Sequence, residues 1–391
     1  MKRLNLKWIF KYLVLMQLMI LYSCTHEVKA LNFQQLTPVK YQKELPLENF
    51  AIAIKKRYHL PGLAIATIHK NKIKDIVVVG NNKTKGGLLL TKNSKFQIAS
   101  CTKSFTALLV ATFVSEGVLR WDTTLAEVFK DIPIHTSYRE VTIRELLSHT
   151  AGLPQFWTDD EVFNIEKHIT GLNGSIIHQR KVFTKWNLGQ SPRFTKGEHH
   201  YSNGGYVIVA SMLEKLTGKS YEALIEQRIF KPLKLKTAEF GYSFLKDTTQ
   251  PYRHMIRDEE GIGITLASDA RLPNPIFNPS GFISISINDF AAYVLFYTKL
   301  LMGKTTMFNY EVVREMFKPV IQTDGIGIGM GWQIIRVNGH KTYGHTGSDQ
   351  SIRSAMSINP KTGDAVVFVT NIGDSISEMA LVNVVFELIN L

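Results

Sequence analysis

Strand-forming runs stand at both ends of this 391-residue chain, and helical periodicity fills most of the stretch between them. Near the start, Leu63-Ala64-Ile65-Ala66-Thr67-Ile68 and Ile76-Val77-Val78-Val79 flank His69-Lys70-Asn71-Lys72, which is a hairpin pattern. Near the end, Trp332 to Val337 and His340 to Thr346 flank Asn338-Gly339, a strong two-residue turn signal. Ile352 to Ile358 and Ala365 to Thr370 flank a second turn, Asn359-Pro360-Lys361-Thr362-Gly363-Asp364. Strands so far apart in sequence bury their apolar faces most simply in one shared sheet. The expected fold class is therefore α/β in the α+β sense. It is an antiparallel sheet flanked by helices, built from both chain ends, with an inserted, mostly helical domain. Hydrophobic residues make up 45% of the chain, ample for a core of this size.

The helical patterns can be placed one by one. Pro46 precedes an apolar periodicity from Leu47 to Arg57, where a proline suits a helix start. Phe96 to Ala99 leads into a helix beginning at Ser100 and continuing through Phe105, Leu108, Leu109, Ala111, Thr112 and Phe113. Gly117 ends it. Val141 to Leu147 reads as a short capped helix, Gly205 to Leu216 as a helix stopped at Gly218, and Tyr221 to Ile229 as one stopped by Pro232. Asn288 to Met302 and Met379 to Ile389 complete the set. The folded unit is expected over residues 46–391, with sheet from 46–100 and 325–391 and a helical insert over 101–324. Residues 24–45 read as a linker.

Residues 1–23 have the form of an export signal. Lys2, Arg3 and Lys7 precede an apolar stretch, Tyr12 to Leu21, that is too short for a comfortable membrane span. Leu21-Tyr22-Ser23-Cys24 has the form of a bacterial lipobox, which would put a lipid on Cys24 and contact with a membrane through it. Cleavage after Ala30, with Val28 and Ala30 as the small-residue site, and an uncleaved anchor are the alternatives. The expected location is the bacterial cell envelope, lipid-anchored or periplasmic/secreted. The formal charge is +13; without Lys2, Arg3, Lys7 and Lys11, thirteen less four leaves +9. These charges are scattered, with no dense Lys/Arg stripe interleaved with aromatics, which argues against a nucleic-acid partner.

Ser100 and Lys103 are spaced by close to one helical turn and so share a helix face. An amine within hydrogen-bond range can turn a serine into a nucleophile. The spacing alone is weak, because Ser243 and Lys246 repeat it. Such a pair needs a proton relay, an oxyanion hole and a wall to align substrate. Tyr201-Ser202-Asn203 is the single Tyr-x-Asn of the chain and lies in a polar loop before a helix. A tyrosine near an ammonium can act as acid or base. Two segments compete for a third element, His345-Thr346-Gly347 and Lys361-Thr362-Gly363. His345 is read as ending a strand, whereas Lys361 sits in the turn at the far end of the next one, roughly 20 Å away. His345-Thr346-Gly347 is therefore taken and Lys361 set aside.

Three other features are read structurally. Cys101 points about 100° away from Ser100 on a helix and is read as a small buried residue. Gly325-Ile326-Gly327-Ile328-Gly329-Met330-Gly331 lacks a following Lys-Ser/Thr and leads into a strand, so it is read as a close approach to the sheet, not a phosphate loop. His199-His200 beside Glu198 lacks a matching second ligand set, so no metal and no cofactor are expected. His149 is read as satisfying buried backbone groups.

On Ile98-Ala99-Ser100-Cys101-Thr102-Lys103, Tyr201-Ser202-Asn203-Gly204-Gly205-Tyr206 and Gly344-His345-Thr346-Gly347, the chain resembles the serine hydrolases of class C β-lactamase type. These have a β-lactamase/transpeptidase-like fold and include penicillin-binding proteins, DD-peptidases, D-aminopeptidases and carboxylesterases. The resemblance covers about residues 46–391 and includes the stretch from Thr142 to Leu153. It implies Ser100 as the acylated nucleophile, Lys103 as its activator, Tyr201 as the shuttle to the leaving group and His345 in the place of the third-motif lysine. It further implies that Asn203 holds the substrate amide and that the N–H groups of Ser100 and Ser348 form the oxyanion hole, with Thr346 and Gly347 lining the substrate. The substrate would be a small molecule, a peptide or an ester. Lys196-Gly197, Pro279-Ser280-Gly281-Phe282 and Gln350-Ser351-Ile352 depart from the family's usual pattern. Histidine in the third motif resembles the esterase and peptidase side of the family. The rival from another class is a catalytically silent envelope protein on the same fold, holding cell-wall or peptide ligands.

Overall fold

The structure, a computed structural model, describes residues 37–156, 174–256, 262–264, 274–323 and 325–389. The export signal, Cys24 and the alternative cleavage site at Ala30 lie outside these residues. Helix α1 (Leu47–Arg57) precedes the hairpin β1 (Gly62–His69) and β2 (Lys72–Gly80). A short strand β3 (Lys95–Gln97) leads through a tight turn to α2 (Thr102–Ser115), followed by α3 (Ile176–Leu188) and α4 (Asn203–Thr217). Strands β4 (Glu239–Phe240), β5 (His254–Ile256), β6 (Ile262–Ile264) and β7 (Ile283–Ser286) then precede α5 (Ile287–Leu301). The chain closes with β8 (Ile321–Thr323), β9 (Ile326–Ile328), β10 (Gln333–Val337), β11 (His340–Ser348), β12 (Arg353–Ile358), β13 (Ala365–Thr370) and α6 (Ser375–Leu388).

The main sheet has eight strands in the order β2-β1-β13-β12-β11-β10-β9-β8, with every neighbouring pair antiparallel. Both chain ends meet at the centre, where β1 lies against β13 with Ile65 opposite Phe368. The apolar run Ala365-Val366-Val367-Phe368-Val369-Thr370 is buried throughout, as a strand covered on both faces must be. Strand alternation divides the residues between the two faces. Ala64, Ala66, Met356, Ile358 and Val367 join the core beneath α2 and α5, while Leu63, Ile65, Ala355, Val366 and Phe368 pack under α1 and α6. Two smaller sheets, β3-β7-β4 and β5-β6, lie apart from it among the helices.

Several local expectations are corrected. The regular helix begins at Thr102, and Ser100 sits in a 3-10 turn, Ala99–Cys101. Pro232 does not stop the helix that opens at Tyr221. The coil widens through a π-type turn, Glu226–Phe230, and runs on to Leu233 before Lys234 turns left-handed. Residues 37–45 are irregular but not free, because α6 offers them polar partners. Val39 N–H donates to Asn383 Oδ1 at 2.8 Å, and Lys40 pairs with Glu387 at 2.8 Å. The glycine-rich run approaches packed backbone: a Cβ on Gly331 would meet the Lys103 carbonyl at 2.8 Å. No helix among the described residues is long and apolar enough to cross a membrane.

Candidate active site

Ser100 stands at the sharp junction between β3 and α2. The residue before it, Ala99, has φ +40°, a left-handed conformation that costs a non-glycine residue energy and concentrates at functional turns. The turn is held by Ile98 N–H donating to the Ile283 carbonyl at 2.9 Å and by Ser354 Oγ donating to the Ile98 carbonyl at 2.7 Å. Strand β11 presses directly against it. A Cβ on Gly347 would lie 2.3 Å from the Ile98 carbonyl oxygen and 2.9 Å from the Ser100 nitrogen, so only glycine permits this approach. Ser100 is 8% exposed.

Lys103, one turn further along, is completely buried. Its Nζ lies 3.1 Å from Ser100 Oγ, 2.8 Å from Asn203 Oδ1 and 2.7 Å from the Ser280 carbonyl. Burial pushes its pKa well below the ordinary lysine value, against a small opposing pull from Cys101. The three partners suit a neutral amine. Asn203 Oδ1 and the Ser280 carbonyl only accept, which uses two N–H groups, while the Ser100 hydroxyl can donate to the remaining lone pair. Ser100 Oγ thus lies between the Lys103 amine and the Tyr201 hydroxyl.

Tyr201 Oη donates to Ser100 Oγ at 2.7 Å from the loop before α4. Its ring stacks on His149, with centroids 4.2 Å apart, and Lys103 Nζ lies 4.8 Å from the ring centre. His149 Nδ1 accepts the Ser202 N–H at 3.0 Å, so the imidazole satisfies a buried backbone donor and also braces Tyr201. Burial, and then the neighbouring His199 and Lys103, push the His149 pKa well below its ordinary value. Asn203 opens α4, and its amide is used at both ends: Oδ1 accepts from Lys103, and Nδ2 donates to the Phe156 carbonyl at 3.2 Å.

His345 lies within β11, three residues before its end, not at the strand terminus. It faces Met356 across the sheet, on the α2 side, as Gly347 faces Ser354. His345 Nδ1 donates to the Thr346 carbonyl at 2.6 Å, which leaves Nε2 as the acceptor. Burial, with Lys103 adding to it, lowers its pKa to about 4. His345, Tyr201, His149 and Gln333 line one cleft. Thr346 and Ser348 occupy alternate β11 positions and are half-buried. Lys361 lies in the exposed turn beyond the other end of β12. Cys101 is buried, its Sγ–H donating to the His345 carbonyl at 3.3 Å, and burial raises its pKa to about 12. His200 pairs with Glu198 at 3.3 Å.

The sequence thus nominated Ser100, Lys103, Tyr201, Asn203 and His345, and the fold brings all five together. It did not point to three supports: the Ser280 carbonyl, Ser354 and the stacking of His149. A backbone carbonyl has no side-chain signature, and Ser354 is one serine among many. His149 stood in a family-like stretch, which was the only available signal.

The sequence profile of the family described as Beta-lactamase matches residues 47–385. The chain is 26% identical over 351 residues to penicillin-binding protein 4 of Amycolatopsis lactamdurans, covering 82% of this chain and 83% of that protein. It is 23% identical over 325 residues to protein flp of Staphylococcus aureus (strain MW2), covering 80% of this chain but 60% of that protein. Among solved structures, the octameric penicillin-binding protein homologue from Pyrococcus abyssi superposes with a TM-score of 0.71 at 25% identity, over 87% of this chain and 76% of that one.

Proposed function

The chain belongs to the beta-lactamase family, and on that premise we propose that it is an exported serine hydrolase forming an acyl-enzyme on an amide or ester. The observation that carries this is the buried Lys103 amine, held by Asn203 and Ser280 at 3.1 Å from Ser100 Oγ. Ser100 Oγ attacks the substrate carbonyl as its proton passes to Lys103 Nζ. The oxyanion lies between the N–H groups of Ser100 and Ser348. Tyr201 gives its proton to the leaving nitrogen or oxygen, and the proton held on Lys103 restores the tyrosine. A water then attacks the acyl carbon, giving a proton back along the same path and freeing Ser100. His345 offers Nε2 as a neutral acceptor at the cleft.

Peptides, short-chain esters and β-lactams are the substrate classes to compare. The relative named penicillin-binding protein 4 makes a penicillin the natural probe. A lipid on Cys24 would hold the enzyme at the bacterial cell envelope. The test is covalent labelling of folded protein with a fluorophosphonate and a fluorescent penicillin, beside Ser100→Ala. A panel of a chromogenic cephalosporin, acyl esters and D-amino-acid peptides follows. Labelling and turnover are expected to vanish in Ser100→Ala with the fold intact. Folded wild-type protein that forms no Ser100-dependent adduct would instead favour the silent binding protein.

A further inference from the structure

The Ser280 carbonyl that holds Lys103 belongs to a strap, residues 275–280, whose carbonyls are held by side chains from two sides. Arg180, on α3, is fully buried. All five of its N–H donors are engaged. Nε donates to the Ile276 carbonyl at 3.1 Å, and Nη2 donates to the Pro275 carbonyl at 2.9 Å and to Glu222. Nη1 donates to Glu214 at 2.5 Å and to Glu222 at 3.2 Å. Glu222 Oε1 also accepts from Asn278 Nδ2 at 2.8 Å. From the opposite side, α2 grips the next two carbonyls with residues one turn apart: Thr106 Oγ1 donates to Pro279 at 2.7 Å and Lys103 to Ser280 at 2.7 Å. Tyr221 Oη lies 2.7 Å from Thr106 Oγ1 and ties the two sides together.

We propose that Arg180, Glu222 and Asn278 are positioning residues for Lys103. They fix the strap so that the Ser280 carbonyl aims the Lys103 amine at Ser100. A buried arginine with two carboxylates is a costly way to hold a loop, because burying charges exacts a desolvation penalty that apolar packing avoids. Here the network ends one residue pair away from the only buried lysine that contacts Ser100 among the described residues. The groups facing Lys103 from the other elements are Tyr201, Tyr206, Cys101, His149 and His345, and none of them belongs to the network. The proposal rests on Lys103 acting as the base for Ser100.

The test is substitution at Asn278. Asn278→Asp sets a second carboxylate against Glu222 Oε1, and Asn278→Ala removes the same hydrogen bond without adding charge. Two readouts are taken: the rate of Ser100 labelling by a fluorophosphonate, and the titration of Lys103 followed by NMR of 13Cε-labelled lysine, assigned with Lys103→Met. Asn278→Asp is expected to slow labelling about 10- to 100-fold, the scale of a small misplacement of a reacting group, with half-saturation unchanged. Its Lys103 titration moves upward as water and negative charge approach the amine. Asn278→Ala, which adds no charge, moves both readouts the same way by less and serves if the Asp variant does not fold. Rates that follow only the folded fraction, with the Lys103 titration unmoved, overturn the proposal. If wild-type protein shows no Ser100 labelling while the Lys103 titration shifts in the Asn278 variants, the hydrolase assignment fails and the positioning role stands.

Discussion

Gly347→Ala is the substitution for which the structure makes the sharpest demand. Gly347 does not need a left-handed backbone, so alanine meets no conformational penalty there, and the cost is purely one of space. The added Cβ would lie 2.3 Å from the Ile98 carbonyl oxygen, 2.6 Å from Ser354 Oγ and 2.9 Å from the Ser100 nitrogen. Two of these atoms are backbone, and Ser354 Oγ is tied to the Ile98 carbonyl, so no flexible side chain can swing away. Against the 3.4 Å at which ordinary contact begins, the nearest approach falls 1.1 Å short. Strand β11 and the Ser100 turn must therefore separate by about 1 Å, a displacement on the scale that costs roughly 100-fold in rate. The overpacking should cost about 1–3 kcal/mol of stability. The two effects are separable. Denaturant melts measure the second, and burst acylation by a chromogenic ester, with kcat and KM determined apart, measures the first. Adding Ser354→Gly should not rescue, because the Ile98 carbonyl remains in the way. Acylation by Gly347→Ala within about three-fold of wild type would refute the claim that the site depends on this close approach.

Other outcomes follow from the same geometry. Burial holds His345 and His199 neutral down to about pH 4, whereas an unfolded histidine takes up its proton near 6.5. Between these values the unfolded chain carries more protons, so stability is full above 6.5 and is lost as pH falls toward 4, by about 3 kcal/mol for His345 alone. Urea melts at pH 7 and pH 5 check it, and equal midpoints would count against neutral burial. Lys361→Ala, in the exposed turn beyond β12, should leave acylation unchanged; a large loss in folded protein would return the third motif to Lys361. Cys101, its thiol raised to about 12, should resist iodoacetamide at pH 8 until the protein is denatured, as mass spectrometry would show.

Much of the architecture was legible in local patterns. The turn residues Asn338-Gly339 announced the β10–β11 hairpin, and the capping box Thr142/Glu145 announced the short helix Ile143–Leu147. Where local reasoning failed, a tertiary term had intervened. The start of α2 shifted to Thr102 because the chain leaves β3 through a strained turn clamped by β7 and β12. Pro232 was absorbed because a π-type turn beforehand removes the usual demand for its N–H.

The order of Ser100, Lys103, Tyr201 and His345 along the chain was sufficient to nominate a nucleophile with partners, since residue type and spacing are properties of sequence. The choice of His345 over Lys361 was also made from the sequence, through the strand between them, and β12 separates the two along its length. The burial of Lys103 exists only in three dimensions. Its depressed pKa comes from burial by α4, the 275–280 strap and β11, segments about 100 to 240 residues away, and desolvation cannot be read from neighbours in sequence. The same holds for the Ser280 carbonyl and for Gly347, where the deciding quantity is a distance between backbones that meet only when both ends of the chain close one sheet.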